Sequence, residues 1–232
     1  MVNPHQVTKD FELALCEYTG APYAVAVNSC TAALLLAVAW HLRNQARTES
    51  VWHTGLRGEF RGHLCSPIEI PKRTYISVPM SIIHAGGRPT FRDENWLGAY
   101  QLKPLPVWDS ARLFTFGMYT RNALTAALPL GRGEGGMVCV SFHASKTLGL
   151  EQGGAILHDN PEADAWLRRA RFDGRTEGVA PADDKFEMVG WHAYLNPSTA
   201  AQGILRLHSL PRHNEPLPND EYPDLSTMEI FR

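Results

Sequence analysis

The sequence predicts an α/β protein, a three-layer α/β/α arrangement with a mostly parallel central sheet. Short apolar runs alternate along the chain with segments of helical periodicity. Two of these runs, residues 105–108 and 137–142, end close to a reactive side chain: Asp109 follows the first and Lys146 the second. Alternating strands and helices favour an open sheet, in which ligands bind at the carboxyl ends of the strands.

The first half of the chain supplies the opening elements of this fold. Phe11, Leu15 and Tyr18 recur at helical spacing, and Gly20 follows them as a stop signal. Residues 22–27 are expected to form a buried strand. Ser29 can then cap a long apolar helix that begins at Thr31 and ends near residue 44.

The remaining elements follow with less regular spacing. Residues 45–63 are polar and irregular and are predicted to be an insertion or a mobile loop. We expect strands at residues 65–70, around Thr90 and at the runs already named, then a strand at 154–157. Two helices, at 161–171 and 197–210, complete the domain. Residues 211–232 contain four prolines and five acidic side chains, which predicts an extended arm or a disordered tail.

Composition narrows the classes of function. The 232 residues carry a net charge of −2, so the whole molecule offers no general attraction to nucleic acid or to an anionic membrane, although a local basic patch would still permit nucleic-acid binding. Four separated cysteines, no apparent leader and no apolar run of about 18–20 residues indicate a reduced cytoplasmic protein.

Two features of the sequence suggest a metal site or a phosphate-binding loop, and both signals are weak. Ten histidines suggest metal binding, but no four ligands have zinc-like spacing, and the pair His63 and Cys65 is only a partial site. No metal is therefore expected. The glycine-rich residues 131–136 lack the preceding strand and the following Lys-Ser/Thr of a phosphate loop, so a flexible loop is the better interpretation.

The most informative stretch is residues 141–146, SFHASK, followed by EQGG at 151–154. A lysine in a polar turn after a buried strand can be held with its amine aimed at a carbonyl group. Attack on that carbonyl needs the neutral amine, so burial or a nearby positive charge must lower its pKa. The alternative is an ordinary solvated surface lysine.

This stretch resembles the lysine motif of the DegT/DnrJ/EryC1/StrS family, which consists of pyridoxal 5′-phosphate-dependent sugar aminotransferases of the aspartate-aminotransferase fold (fold type I). In that family a Ser-Phe-His-x-x-Lys motif precedes Gly-Glu-Gly-Gly. The resemblance implies pyridoxal phosphate as cofactor, Lys146 as its Schiff-base residue, and residues 1–210 as the cofactor-binding large domain. His143, inside the motif, is counted among the cofactor-binding residues.

Residues 28–34, NSCTAAL, resemble the Asn-Ser-Gly-Thr-x-Ala-Leu segment that opens the family's first large helix. A helix N-terminus carries free N–H groups and a positive dipole end that suit a phosphate dianion. The resemblance implies Ser29, Cys30, Thr31 and Ser141 as the phosphate site. Cys30 departs from the family's glycine, and Ser29 has the alternative role of a plain helix cap.

Two further segments resemble the family's ring-binding residues. In residues 71–76, PKRTYI, Tyr75 would stack on the pyridine ring; its alternative is a core tyrosine. In residues 107–112, VWDSAR, Asp109 would pair with the protonated pyridine nitrogen; its alternative is a turn cap. Arg112 stands where the family has His or Gln near the phenolic oxygen, which a fixed cation would stabilise.

Residues 190–195, GWHAYL, resemble the family's Gly-Tyr-Asn-Tyr-Arg-Leu segment. There the Asn reaches the phosphate in the partner subunit, and His192 occupies its position here. Tyr194 replaces the family's Arg. The resemblance implies an isologous homodimer with shared active sites, and a small C-terminal domain that follows the last matched helix in family members. We expect this chain to be a large domain alone, with a more open cleft.

The predicted activity is transfer of an amino group from a small-molecule amine donor, an amino acid, to a carbonyl acceptor such as a keto-sugar. Two alternatives stay open. One is an atypical enzyme, a decarboxylase or isomerase, acting on an amino-acid group that can be attached to a nucleotide or a nucleic-acid base. The other is a degenerate binding domain without catalysis, against which the retention of Asp109 and Lys146 argues.

Overall fold

The computed structural model describes residues 5–48, 67–120 and 136–231. The described α-helices are α1 (Gln6–Thr19), α2 (Cys30–Thr48), α3 (Ser77–His84), α4 (Pro161–Ala170) and α5 (Pro197–Ser209). The described strands are β1 (Tyr23–Val27), β2 (Ile68–Pro71), β3 (Pro89–Arg92), β4 (Tyr100–Gln101), β5 (Val107–Asp109), β6 (Met137–Ser141) and β7 (Gly154–His158). All the predicted strands and helices within these ranges are present.

Five strands form one sheet in the order β1-β7-β6-β5-β4, and β2 pairs with β3. Glu69 in β2 and Lys103, just after β4, exchange backbone hydrogen bonds of 2.7 and 3.0 Å, which connect the two groups of strands. Among the described pairings, β5–β6 and β2–β3 are parallel, whereas β1–β7, β6–β7 and β4–β5 are antiparallel.

The sheet is therefore mixed in its pairings, which corrects the expectation of a mostly parallel sheet. The pairings and the bridge between Glu69 and Lys103 imply that β1, β2, β3, β5 and β6 run in one direction and β4 and β7 in the other. β7 reverses because it follows β6 without a crossover helix, which a parallel neighbour would require. The common direction of most strands still brings their carboxyl ends to one edge.

The three-layer arrangement is confirmed by the alternation of side chains along the strands. In β1, Val25 and Val27 pack in one core with residues of α2, α3 and α4. Ala24 and Ala26 point to the opposite core, which α1 and α5 close. Successive side chains of a strand face opposite sides of the sheet, so each face is covered by its own helices.

The helix boundaries follow the predicted signals closely. Gly20 has φ +78° and donates its N–H to Cys16 O (2.8 Å), which ends α1 with a left-handed residue that glycine adopts without strain. Ser29 Oγ accepts the N–H of Ala32 (3.1 Å) at the start of α2. α2 continues to Thr48, so residues 45–48 are helical and not part of an irregular insertion.

Some predictions concern residues outside the described ranges. These are the rest of the 45–63 insertion, the pair at 63 and 65, the first residues of the strand predicted from 65, and residues 131–135 of the glycine-rich stretch. Within the described residues, no helix is both long enough and apolar enough to cross a membrane.

The C-terminal segment is an extended arm that packs on the domain, and the alternative of a disordered tail is wrong for its described part. Pro211 O accepts the hydroxyl of Tyr18 (2.6 Å). Leu225 is fully buried and donates its N–H to Lys72 O (2.9 Å). Two short 3-10 turns, Leu225–Thr227 and Glu229–Phe231, follow. The prolines keep the segment extended while these contacts bind it to the domain.

Candidate active site

The carboxyl ends of β1, β5 and β6 meet at one edge of the sheet, and a cavity of about 600 Å³ lies there. Nine of the ten predicted site residues line it: Ser29, Cys30, Thr31, Tyr75, Asp109, Arg112, Ser141, His143 and Lys146. They come from strand ends, loops and the start of α2, which are far apart in the sequence. The topology therefore brings together the side chains that the motifs had singled out separately.

Lys146 lies in the turn after β6, where its N–H donates to His143 O (2.8 Å). Its side chain is half-buried and lines the cavity, so it is not an ordinary surface lysine. Burial lowers the pKa of the amine, and the positive charge of Arg112 lowers it further. Both effects enlarge the neutral, nucleophilic fraction of the amine at neutral pH.

Asp109 ends β5 with only 5% of its surface exposed. Its Oδ2 accepts the hydroxyl of Tyr100 (2.8 Å) and its Oδ1 accepts the N–H of Ala111 (2.9 Å). Burial raises the pKa of this carboxyl although both hydrogen bonds favour its charged form. Asp109 forms no ion pair with any described residue, so this wall of the cavity has an unpaired buried carboxylate that would fit a cationic group.

Asp109 suits a cation, and a site that suits an anion lies on the same cavity, where α2 begins. Ser29 Oγ caps the helix, as its alternative role predicted, and still lines the cavity. Thr31 Oγ1 lies 2.8 Å from Ser77 Oγ. A Cβ added at Gly154 would lie 2.6 Å from the backbone N of Cys30, so the start of β7 closely approaches the first turn of α2. The positive end of a 19-residue helix thus faces the cavity.

Tyr75 is 58% exposed on the wall of the cavity, so it is not a core tyrosine. The buried tyrosine of this region is Tyr100. Cys30 is half-buried in the first turn of α2, and burial raises the pKa of its thiol well above its usual range. A protonated thiol is a poor nucleophile, which makes Cys30 a wall residue and not a reactive one.

His192 is the predicted site residue that does not line this cavity. It is exposed, and its Nδ1 lies 2.9 Å from Asp173 Oδ2. Its predicted role is in the site of a partner subunit, so this position neither supports nor contradicts the prediction.

Several residues that line the cavity or bond to its lining carried no usable signal in the sequence. Tyr100 lies in a two-residue strand, and only its register opposite Asp109 brings it to the site. Thr74 Oγ1 lies 2.6 Å from the Tyr100 hydroxyl and extends the same chain of hydrogen bonds. Asp220 and Tyr222 come from the C-terminal segment, more than 100 residues after Asp109. Such long-range contacts cannot be read from local spacing.

Metal chemistry finds no support at this site. Across the described ranges, no group of three or more His, Cys, Asp or Glu side chains is placed to hold a metal ion.

The sequence matches the model of the DegT/DnrJ/EryC1/StrS aminotransferase family over residues 3–51 and 129–216, more than half of the chain. The chain belongs to this family. The matched segments include the start of α2 and the lysine turn. No match to a curated protein reaches significance.

Solved structures of aminotransferases share the fold of this family member. The sugar aminotransferase CalS13 from Micromonospora echinospora is 19% identical with a TM-score of 0.62, and 88% of this chain covers 60% of it. Helicobacter pylori PseC, an aminotransferase of pseudoaminic acid biosynthesis, is 18% identical with a TM-score of 0.60, covering 88% of this chain and 58% of that one.

NtdA from Bacillus subtilis, solved with bound cofactor PMP, is 18% identical with a TM-score of 0.59, covering 88% of this chain and 48% of that one. The chain thus spans at most 60% of the length of these three structures. The likeness confirms fold type I.

Proposed function

We propose that this chain is a pyridoxal phosphate-dependent aminotransferase in which Lys146 bonds covalently to the cofactor. One observation carries the proposal. A lysine with a lowered pKa and a buried carboxylate that forms no ion pair with the described residues line one cavity, which the N-terminus of α2 also faces. An amine, a carboxylate and an anion site in that combination match the aldehyde, the ring nitrogen and the phosphate of one molecule.

The residues fit the cofactor in each of its parts. Asp109 would hold the protonated pyridine nitrogen, because a buried carboxylate without an ion pair gains most from a cation. The hydroxyls of Ser29, Thr31 and Ser141, with the first turn of α2, would bind the phosphate. The exposed ring of Tyr75 would stack on the pyridine.

Two more residues complete the binding set. Arg112 would bind the phenolic oxygen as a fixed cation, and His143 would lie beside the lysine turn, where its Nδ1 is 2.9 Å from Ser145 Oγ. Pyridoxal phosphate, when bound, supplies an aldehyde that condenses with amines and a ring that accepts the electron pair released at a substrate Cα.

The chain's own contribution is to hold charge and to move protons. Lys146 Nζ, whose pKa is lowered by burial and by the charge of Arg112, gives up its proton more readily than an ordinary lysine and can take one up again as a general base. The hydrogen bonds from Tyr100 and Ala111 fix the Asp109 carboxylate in one orientation. The cavity thus places a proton acceptor and a fixed negative charge on one binding site.

The proposed substrates are an amino-acid donor and a keto-sugar acceptor. The family match supports this choice, as does the similarity to the sugar aminotransferase CalS13 and to PseC, an aminotransferase of pseudoaminic acid biosynthesis. A cytoplasmic location and a homodimer with shared sites, in which His192 reaches the partner subunit's phosphate, belong to the same proposal.

Incubation of the cofactor-loaded chain with glutamate or glutamine and a nucleotide-linked keto-sugar tests this function. We expect a keto acid to form in step with the aminated sugar, and Lys146→Ala to abolish both. Release of carbon dioxide or racemised amino acid without keto acid would identify decarboxylase or isomerase chemistry instead. Cofactor binding without turnover of a panel of donors and acceptors would identify a non-catalytic domain.

Sedimentation of the loaded chain tests the proposed assembly. We expect a dimer, and we expect His192→Ala to weaken cofactor binding while it leaves the dimer intact. A strict monomer that binds the cofactor with unchanged affinity would contradict the shared site.

A further inference from the structure

A strap formed by residues 217–225 of the C-terminal segment lies along the cavity. Leu217 at its start donates its N–H to Arg112 O (2.8 Å), and Leu225 at its end donates its N–H to Lys72 O (2.9 Å). Lys72 Nζ also lies 3.5 Å from Asp224 Oδ2. These contacts hold the two ends, while Asp220 and Tyr222 between them line the cavity.

The strap supplies all the hydrogen-bond acceptors of the Arg112 side chain that the described residues provide. Arg112 donates to Pro218 O, to the Asp220 carboxylate and, at 3.0 Å, to the Tyr222 hydroxyl. Its guanidinium also lies 5.7 Å from the centre of the Tyr222 ring. Arg112 therefore belongs to the domain, whereas the groups that accept its side-chain hydrogen bonds belong to the C-terminal segment.

The two sides of this ion pair differ in burial. Arg112 is 6% exposed, whereas the side chain of Asp220 is 69% exposed. A buried guanidinium needs an anionic partner, since an unpaired buried charge is strongly unfavourable. A water-exposed carboxylate gains little from such a pair and can leave at small cost. The anion at this position is therefore exchangeable, whereas the cation is fixed.

Arg112 is also close enough to Lys146 to matter for its chemistry. Its positive charge lowers the pKa of the Lys146 amine, and the negative charge of Asp220 acts in the opposite direction. All three side chains line one cavity. An anionic group bound by Arg112 would therefore lie within electrostatic reach of the reacting amine.

We propose that Arg112, whose five N–H groups allow a second role beside the phenolic oxygen, also binds the carboxylate of the amine substrate, and that Asp220 of the strap occupies this subsite as an internal competitor. The proposal rests on the proposed function, because an amino-acid donor brings the carboxylate. The planar guanidinium fork binds carboxylates in a fixed orientation, which would orient the donor's amine relative to Lys146. Exchange of one carboxylate for another keeps the buried charge paired throughout.

An internal competitor lowers the apparent affinity for a ligand by the fraction of molecules in which it is displaced. Glutarate, a dicarboxylate without an amine, is the probe, and its binding is followed by calorimetry on the cofactor-free and the loaded chain. We expect Asp220→Asn to bind glutarate roughly tenfold more tightly than the wild type, as for a strap that is displaced in about one molecule in ten. Arg112→Gln should lose that binding.

Glu215→Gln is the matched control, because Glu215 lies in the same arm, is exposed and pairs with His213 outside the cavity. It should bind glutarate as the wild type does. An affinity of Asp220→Asn within twofold of the wild type, or weaker, would overturn the proposal.

Amide hydrogen exchange of the wild type gives a test that needs no variant. Saturating glutarate should speed exchange at Leu217 and Leu225 several-fold, because the strap's end bonds open when Asp220 is displaced. Unchanged or slower exchange would contradict displacement.

Titration with pyridoxal phosphate distinguishes the failure of the subsite from the failure of the proposed function. If the chain binds the cofactor but Asp220→Asn leaves the affinity for glutarate unchanged, only the subsite is contradicted. Glutarate binding through Arg112 in a chain that never binds the cofactor contradicts the proposed function alone.

Discussion

Tyr100 donates its hydroxyl to Asp109 Oδ2 over 2.8 Å, directly across the antiparallel pair β4–β5. The Tyr100 hydroxyl also lies 2.6 Å from Thr74 Oγ1, so three segments of the chain meet at one carboxylate. A buried carboxylate is costly unless its oxygens are hydrogen-bonded. The hydrogen bonds from Tyr100 and Ala111 favour the charged form of Asp109 and so oppose the rise in its pKa that burial causes.

Replacement of Tyr100 by Phe removes that donor and leaves the ring in place. We expect at least about tenfold weaker binding of pyridoxal phosphate, since a lost hydrogen bond to a charged group costs about 1.5–3 kcal/mol. Absorbance titration of the cofactor measures the effect. Tyr119→Phe is the control, because its hydroxyl bonds Gly136 O (3.1 Å) away from the cavity. Equal affinities of the two variants would contradict a role of Tyr100 at Asp109.

Asp109→Asn should change how the stability of the cofactor-free chain depends on pH. Burial raises the pKa of Asp109 in the folded chain above its unfolded value near 4, so the folded state binds the proton more tightly. The stability that protonated Asp109 contributes is therefore lost as pH rises from about 4 to the pKa of Asp109 in the folded chain.

Urea unfolding of both proteins at a series of pH values measures this difference. Relative to the wild type, Asp109→Asn should gain at most about 1.4 kcal/mol per pH unit within that window. Parallel stability curves, or a relative loss by the variant, would show that the carboxyl is not destabilised by burial.

The elements that carry the site were predictable because their signals are local. The lysine turn, the capped start of α2 and the strand that ends at Asp109 are each recognisable from neighbouring residues and from the family resemblance. Their convergence follows from one rule, that strands of common direction end at one edge of the sheet. The predicted fold is confirmed, and nine of the ten candidate site residues lie together at that edge, where their roles stay predictions.

The remainder depends on contacts between distant residues. Tyr100 reaches Asp109 only through strand register, and Asp220 reaches Arg112 only because the arm folds back. The antiparallel pairing of β7 depends on the absence of a crossover helix after β6, which local periodicity did not decide. Proline and acidic content left an extended arm and a disordered tail as alternatives, because the contacts that bind the arm arise from Tyr18, Lys72 and Arg112 elsewhere in the chain.

Glu12→Gln should destabilise the fold by up to about 3–5 kcal/mol, because it removes the nearer of the two carboxylates that pair with the buried Arg171, the other being that of Glu177 at 3.5 Å. Burial by itself would raise the pKa of Glu12, but the charges of Arg171 and Arg168 outweigh it and lower that pKa. Its contribution is therefore present above the unfolded pKa near 4.3 and is lost as pH falls further. Urea unfolding at pH 7 measures the loss.

Glu17→Gln is the control for this change, since Glu17 is exposed on the same helix. It should shift the unfolding free energy by less than about 0.5 kcal/mol. A similar cost in both variants would contradict the assignment of Glu12 as the partner of a buried cation.

Gly154→Ala should disturb the phosphate site. Its added methyl group would lie 2.6 Å from the backbone N of Cys30, so either β7 or the first turn of α2 must move. We expect at least about tenfold weaker binding of pyridoxal phosphate, because helix N–H groups bind a phosphate only when they are aimed at it. The added methyl of Gly178→Ala meets open space, so this control should lose only about 1–2 kcal/mol of stability from its left-handed backbone, with no loss of affinity.

The central claim is that the amine at position 146 is the one that bonds to the cofactor. Borohydride reduction of the loaded chain, followed by digestion and mass spectrometry of the peptides, locates the trapped cofactor. The account predicts a single modified site at Lys146, and no stoichiometric trapping in Lys146→Ala. Modification that is spread over exposed lysines such as Lys103 or Lys185, and equal in both proteins, would contradict it.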